Sequence, residues 1–194
     1  NGMTVALSFV IDEGDNVASD GVTVTSSIID GHSVTISSDA LGTLKFSGEG
    51  ADSAQNAVGD TAAGNIWDTF DAASTTTQLS ESGMGGNSFN YTLPSVVDGL
   101  SVSASYTPQG SASTESSQAY GLTYTGVEGL TVHYGAGTND AGATTAKADV
   151  TTMKATYAYG PITVGYSDHE FDSATDTRDQ DVKSYSIAYT VSDA

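Results

Sequence analysis

Carboxylates are the residues most able to do chemistry in this sequence, and six of them crowd the segment between residues 168 and 181. They are Asp168, Glu170, Asp172, Asp176, Asp179 and Asp181. Oxygen ligands at this density suit Ca²⁺ or Mg²⁺. The alternating acids, glycine and closing glutamate of an EF-hand loop do not occur there. The segment therefore predicts either a divalent-cation site or a solvated acidic surface.

Patterns for catalysis are missing from the sequence. The three histidines, His32, His133 and His169, form no His-x-x-x-His or Glu-x-x-His pair, so no zinc site is indicated. There is no Gly-x-Ser-x-Gly motif, and the glycines at 83–86 lack the Lys-Ser or Lys-Thr of a phosphate-binding loop. We predict that the chain is not an enzyme. We also predict that it has no cofactor other than Ca²⁺ or Mg²⁺ bound by the acidic residues of its outer loops.

Composition excludes several other classes. The 194 residues include 24 acidic and 5 basic ones, and the formal net charge is −19. Such a chain is a poor ligand for nucleic acid, since phosphate binding needs clustered Lys and Arg. Without cysteine there is no disulfide framework or thiolate metal site. The sequence contains no run of about 18 apolar residues, so it does not predict a transmembrane helix. The opening Asn-Gly-Met-Thr is typical of a fragment or a mature product.

The elements that must position these residues are β-strands. In segment 3–11 every odd position is large and apolar, while Thr4, Ala6 and Ser8 are small or polar. This alternation is typical of a strand with two different faces. Nine further segments with the same pattern lie at 32–38, 43–47, 88–93, 100–107, 119–125, 130–134, 152–157, 162–166 and 184–191.

Short and long connections between these ten strands alternate. Four are tight and contain Gly, Pro or Asp, at 39–42, 94–99, 126–129 and 159–161. Five are long and polar, at about 13–30, 48–87, 108–117, 136–149 and 168–182. This order predicts an up-and-down meander with all its tight turns at one end, as in transmembrane barrels.

The two faces of the strands differ in a way that favours a membrane. The polar face holds Ser, Thr, Asn, Gly and Ala, with Lys45, Lys154 and His133 as exceptions. The apolar face of these segments holds no charge, as hydrocarbon requires. Tyrosines lie near both strand ends, which is typical of interfacial girdles. The prediction is an all-β, transmembrane antiparallel up-and-down β-barrel. A soluble sheet with cross-strand aromatic pairs is the alternative.

Three segments carry a family resemblance. Segments 32–48, 61–68 and 89–106 read HSVTISSDALGTLKFSG, TAAGNIWD and FNYTLPSVVDGLSVSASY. They resemble general Gram-negative bacterial porins and are most similar to those of marine alphaproteobacteria. The resemblance implies a sixteen-stranded barrel in the cell outer membrane, usually a homotrimer, that passes small hydrophilic solutes by passive diffusion.

The resemblance also suggests a register for the chain. Porins of this kind fold their third outer loop into the barrel, and the longest loop here is 48–87. If the two correspond, the first strand here is the family's third. We then expect residues 1–194 to form a single β-barrel domain that is an internal piece of a longer porin. A closed ten-stranded barrel is the alternative, although its lumen should be too narrow for such a loop.

The resemblance implies a pore constriction between an acidic loop and a basic wall. The acidic candidates are Glu49, Asp52, Asp60, Asp68, Asp71 and Glu81. The wall candidates are Lys45, Lys154 and Lys183. Carboxylates beside a pore favour cations. This sequence departs from the family's arginine-rich cluster, which either lies in strands outside residues 1–194 or is absent. The departure argues against strong anion selectivity.

Two further expectations concern partners. The membrane reading predicts contact with outer-membrane lipid, and with lipopolysaccharide through divalent ions held by acidic outer loops. The rival reading is a soluble, secreted, acidic β-rich binding or adhesion module that depends on Ca²⁺.

Overall fold

The computed structural model describes residues 2–11, 29–48, 53–55, 62, 86–110, 116–139, 148–173 and 179–191. Ten strands lie in these ranges: β1 (Met3–Ile11), β2 (Ile29–Ser38), β3 (Gly42–Ser47), β4 (Ser88–Thr92), β5 (Leu100–Thr107), β6 (Ser117–Val127), β7 (Leu130–Asn139), β8 (Ala148–Tyr159), β9 (Ile162–Ser173) and β10 (Gln180–Tyr189). Among the described residues, no helix is long and apolar enough to cross a bilayer.

All ten strands form one antiparallel sheet in chain order, from β1 to β10. Each strand pairs with the next along the chain, which is the up-and-down meander predicted from the connections. The predicted all-β architecture is therefore confirmed. Strands β1 and β10 occupy the two edges of the sheet and are not neighbours within the described part of the chain.

The register joins like residues across the strands into two continuous faces. On one face Val5 lies opposite Ile36, Ile36 opposite Leu44, and Leu44 opposite Tyr91. We call this the apolar face. On the other, which we call the polar face, Thr35 lies opposite Lys45 and Lys45 opposite Asn90. Because side chains alternate strictly along a strand, this division continues through the sheet.

Burial in this sheet is the reverse of that in a water-soluble protein. Large apolar side chains are exposed, such as Val5 at 62% and Ile187 at 78%. Among the described residues, the buried apolar side chains are only Ala54, Ala119, Ala148 and Val150. Buried positions are mostly small and polar. A continuous apolar face of this extent marks a surface that meets membrane or another protein.

Five tyrosines of the apolar face follow a slanting line: Tyr106, Tyr120, Tyr134, Tyr166 and Tyr185, on β5, β6, β7, β9 and β10. Three times along the line, the next tyrosine is two residues nearer the tight turns than the residue paired with the previous one. These pairs of residues are Gln118 and Tyr120, Ala136 and Tyr134, and Asp168 and Tyr166, so the line drops by six residues in all. A drop of about 20 Å along the strands, over about 24 Å across five strand spacings, corresponds to an inclination of about 40°. Barrel strands tilt by about 35–45° in membranes, so this line is level in a barrel.

The strands β9 and β10 extend further than the sequence predicted. Segment 168–182 was expected to be loop, yet β9 continues to Ser173 and β10 begins at Gln180. The alternation continues there with acids in the places of apolar residues, and long-range pairing overrides the low strand propensity of Asp and Glu. Asp168, Glu170, Asp172, Asp181 and Lys183 therefore lie in strands, as does Asp149 at the start of β8, which was also expected to be loop.

Each tight turn contains a glycine with positive φ: Gly42, Gly99, Gly129 and Gly160. Two of them differ in their surroundings. A Cβ on Gly129 would overlap the carbonyl oxygen of Ala158, whereas a Cβ on Gly160 would meet no atom of the described residues within 4 Å. Gly129 is therefore required both for its backbone conformation and for the close approach of β8.

We predict that Gly160→Ala lowers the free energy of unfolding by about 1–2 kcal/mol, the cost of a left-handed conformation with a Cβ. Gly129→Ala should cost more, because the new Cβ also displaces the β8 backbone. Urea unfolding of the protein in lipid vesicles, followed by circular dichroism, measures both. Equal losses in the two variants would show that the overlap with Ala158 relaxes without cost.

Candidate functional site on the polar face

The polar face is lined by hydroxyl and amide side chains with few charges. One row across the strands consists of Ser101, Thr123, His133, Lys154, Ser167 and Ser184. A second row begins with Thr35, Lys45, Asn90 and Ser105. Such a surface binds water well and offers hydrogen bonds to any polar solute.

Two basic side chains are neighbours within the first row. His133 on β7 lies opposite Lys154 on β8. The Nδ1 atom of His133 is 3.0 Å from Oγ1 of Thr123 on β6, which orients the imidazole. Lys154 is half-buried, whereas Lys45 on β3 is exposed.

Lys45 and Lys154 lie at nearly the same depth along the sheet axis. The register connects Lys45 through Asn90, Ser105, Ala119 and Gly137 to Val150 on β8. Lys154 lies four residues beyond Val150, toward the tight turns. The tyrosine line drops by six residues over the same number of strands. The two lysines therefore differ in depth by about two residues, which is about 5 Å along the axis.

Residues of the long 48–87 connection lie directly on this polar face. The backbone N–H of Ala54 donates to Oγ of Ser105 on β5 at 2.9 Å. The backbone N–H of Ala62 donates to Oγ of Ser167 on β9, also at 2.9 Å. Both contacts join residues that are distant in sequence, so they fix where the connection crosses the sheet.

A third contact joins the same connection to β8. Nε2 of Gln55 donates to Oγ1 of Thr152 at 3.1 Å. Thr152 in turn lies 2.7 Å from Nδ1 of His169 on β9. Gln55, Thr152 and His169 are all at least 96% buried, so water does not compete for these bonds.

Glycine makes room for the connection at two positions of the polar face. A Cβ on Gly121 of β6 would overlap the carbonyl oxygen of Ala54. A Cβ on Gly165 of β9 would overlap Oγ of Ser186 and come within 3.2 Å of the Ala62 side chain. The chain can approach the sheet this closely only because these side chains are missing.

The geometry thus consists of a sheet with one apolar and one polar face, and a connection held on the polar face. The model of the Gram-negative porin family matches residues 1–194. This chain belongs to the Gram-negative porin family. It is therefore a channel-forming β-barrel protein of the outer membrane, and nothing favours the soluble adhesion module.

Two solved porin structures match this chain at low sequence identity. A triple mutant of Rhodobacter blastica porin is 14% identical, with a TM-score of 0.46, over 96% of this chain and 73% of that one. A double mutant of the same porin is 12% identical, with a TM-score of 0.42, over 95% and 78%. A search of curated proteins finds no match to the chain.

Porin architecture assigns the two faces. The polar face lines the water-filled lumen and the apolar face meets lipid. The short turns of bacterial barrels lie on the periplasmic side and the long loops outside. The four glycine turns of this porin are thus periplasmic. The tyrosine line forms the border of the apolar residues on the loop side, with Gln118, Asp168 and Lys183 beyond it.

Lys183 does not lie on the lumen wall, and the prediction that it does is wrong. It lies opposite Asp168 and two residues from Tyr185, so it shares the apolar face. Its Nζ is 2.8 Å from Oδ1 of Asp181 and 3.6 Å from Oδ1 of Asp168. Asp168 also accepts a hydrogen bond from the Tyr166 hydroxyl at 2.9 Å. Strand parity with Tyr185 and Ile187 was the sequence signal for this placement.

The six acids proposed as metal ligands are dispersed. Asp168, Glu170, Asp172 and Asp181 share the outward face of β9 and β10. Asp179 accepts a hydrogen bond from the backbone N–H of Ser173 at 2.9 Å, and Asp176 lies outside the described residues. Within the described ranges no three His, Asp or Glu side chains are grouped as metal ligands. A Ca²⁺ or Mg²⁺ site here stays a prediction.

The acidic half of the expected constriction falls outside the described residues. This holds for Glu49, Asp52, Asp60, Asp68, Asp71 and Glu81. The wall residues that hold the connection, Ser105, Thr152 and Ser167, were not predicted. Their sequence signal is weak, because serine and threonine occur throughout the polar face; only the small residues between them, such as Gly121, hint at a close approach.

We predict that a bulky hydrophilic thiol reagent lowers single-channel conductance in Lys154→Cys and leaves it unchanged in Lys183→Cys. The added group occupies the lumen in the first variant and the outer surface in the second. The chain has no cysteine of its own, so the unmodified protein is the control. Equal block of both variants would place Lys183 in the lumen.

Proposed function

We propose that this porin passes small hydrophilic solutes and ions by passive diffusion through a lumen narrowed by the 48–87 connection. The observation that carries the proposal is the contact of Ala54, Gln55 and Ala62 with the lumen wall. A loop outside the barrel mouth would leave these wall hydroxyls to water. A loop on the wall takes part of the cross-section, so it limits the size of the solute.

The charge pattern supports a preference for cations. Lys45 and Lys154 supply two positive charges to the wall at a similar depth, whereas the 48–87 connection carries six carboxylates in its sequence. We propose that these carboxylates, Glu49 and Asp52 among them, face the lysines across the lumen. The net negative charge raises the local concentration of cations, and the opposed charges orient polar solutes.

The side chains of the wall do not form a specific binding site for one solute. Its described side chains are mainly hydroxyls, and each row holds at most two basic groups. Hydroxyls exchange hydrogen bonds with water and solute at similar free energy. Such a wall lets neutral and weakly charged hydrophilic molecules pass without holding them.

The proposed assembly is a homotrimer in the cell outer membrane. The apolar face provides the surface for lipid and for a neighbouring copy. The outward acids of β9 and β10 lie just beyond Tyr166 and Tyr185, where lipopolysaccharide headgroups carry negative charge. Divalent cations between the two are the proposed link.

We predict that the double substitution Lys45→Gln and Lys154→Gln raises the cation-to-anion permeability ratio about fourfold, because each lost positive charge favours cations and disfavours anions by similar free energies. Two charges at about 8 Å from a permeating ion in water each contribute a few tenths of a kcal/mol after screening. Reversal potentials of the full-length porin in planar bilayers under a KCl gradient measure the ratio.

Lys183→Gln is the matched control for this experiment, since Lys183 lies on the outer face. It should leave the reversal potential unchanged. An unchanged ratio in the double variant, with stepwise conductance intact, would contradict a role of the two wall lysines in selectivity.

A further inference from the structure

The contacts between the 48–87 connection and the wall are distributed over a wide arc of the sheet. They reach Ser105 on β5, Thr152 on β8 and Ser167 on β9. We propose that these three hydroxyls are positioning residues that set the limiting cross-section of the pore. The proposal rests on the proposed function, because it requires that the connection narrows the lumen.

Each bond has its donor on the connection and its acceptor on the wall. Two donors are backbone N–H groups, of Ala54 and Ala62, so these bonds are independent of the side chains at those positions. Ser105 and Ser167 are 5% and 2% exposed. A buried N–H that loses its partner is costly, so the connection gains by lying where these hydroxyls are.

The Thr152 contact is held from behind by His169. The Gln55 amide nitrogen can only donate, so the Thr152 oxygen accepts. Oγ1 of Thr152 also shares a hydrogen bond with Nδ1 of His169, 2.7 Å away, in the direction that the histidine tautomer sets. This second contact holds the Thr152 side chain in place beside Gln55.

We call Ser105, Thr152 and Ser167 the anchors of the connection. Between Ser105 on β5 and Thr152 on β8 the wall consists of small residues, which leave a shallow recess. Gly121 and Ala119 on β6 lie opposite Gly135 and Gly137 on β7. The carbonyl of Ala54 lies over Gly121, where a Cβ would overlap it. The recess lets the connection lie close to the wall, and the anchors hold it there.

Anchors and recess therefore predict effects of opposite sign. Removal of the anchors in Ser105→Ala, Thr152→Val and Ser167→Ala combined should shift the balance between attached and detached connection about a hundredfold toward detachment. Conductance and the largest permeant sugar should then increase. Gly121→Ala should push the connection into the lumen, so that conductance decreases.

Two matched controls accompany these variants. Thr156→Val lies on the same strand and face as Thr152 and bonds none of the described loop residues. Gly31→Ala adds a Cβ that, among the described residues, meets only Val10, at ordinary contact distance. Both should leave conductance and solute size unchanged.

The experiment uses the full-length porin in planar bilayers for conductance and in liposomes for sugar permeation. Heat-induced unfolding on gels checks that each variant retains its barrel, and single anchor substitutions replace the triple one if it does not fold. Unchanged conductance in folded anchor variants, or an increase in Gly121→Ala, would overturn the proposal.

Failure of the proposed function gives a different result. If the unmodified porin already admits sugars that fill an unobstructed barrel, the connection does not narrow the lumen. If the unmodified porin excludes them and the triple variant excludes them equally, only the anchoring is wrong.

Discussion

Hydrocarbon offers no hydrogen bonds to a polypeptide backbone, and the rest of this structure depends on that constraint. Every N–H and C=O of a strand within the bilayer must pair with a neighbouring strand. In the described sheet, strands β2 to β9 meet it by pairing with both of their chain neighbours, and β1 and β10 pair on one side each. Side chains then have only two destinations, lipid or lumen. The alternation of Val5 with Thr4 and Ala6 in β1 follows from these two surroundings.

Small side chains on the lumen wall are the second consequence. A polar wall made of lysine and glutamate would fill the lumen and hold a loop away from it. Serine, threonine, glycine and alanine leave space, and Gly121 and Gly165 allow the backbone at Ala54 and Ala62 to approach closely. Serine, threonine and glycine are abundant in this sequence, and their small size lets one segment of the chain lie against another inside the barrel.

Much of the fold follows from the sequence because a period of two is a local signal. All ten strands, their order and their faces were predictable from alternation and turn residues such as Gly129. The loop-side ends of β9 and β10 were not predictable, because Asp168 and Glu170 take the places of apolar residues where the strand leaves the hydrocarbon. The site was harder to predict. Which hydroxyl receives Ala54 or Ala62 depends on contacts across about 50 to 100 residues of sequence, and no local pattern distinguishes Ser105 from Ser103.

The face of the sheet and the depth in the membrane together decide which surroundings a charge has in this porin. Lys154 and Lys183 are both strand lysines, one residue type with opposite surroundings. Lys154 lies on the polar face, opposite His133. Lys183 lies outward, just beyond Tyr166 and Tyr185, where Asp168 and Asp181 neutralise it. A charge on that face is tolerated near the interface and costs about 2–4 kcal/mol at the midplane. The slanting line of tyrosines therefore marks the level above which the outward face can carry charge, and the acids of β9 and β10 begin directly above it.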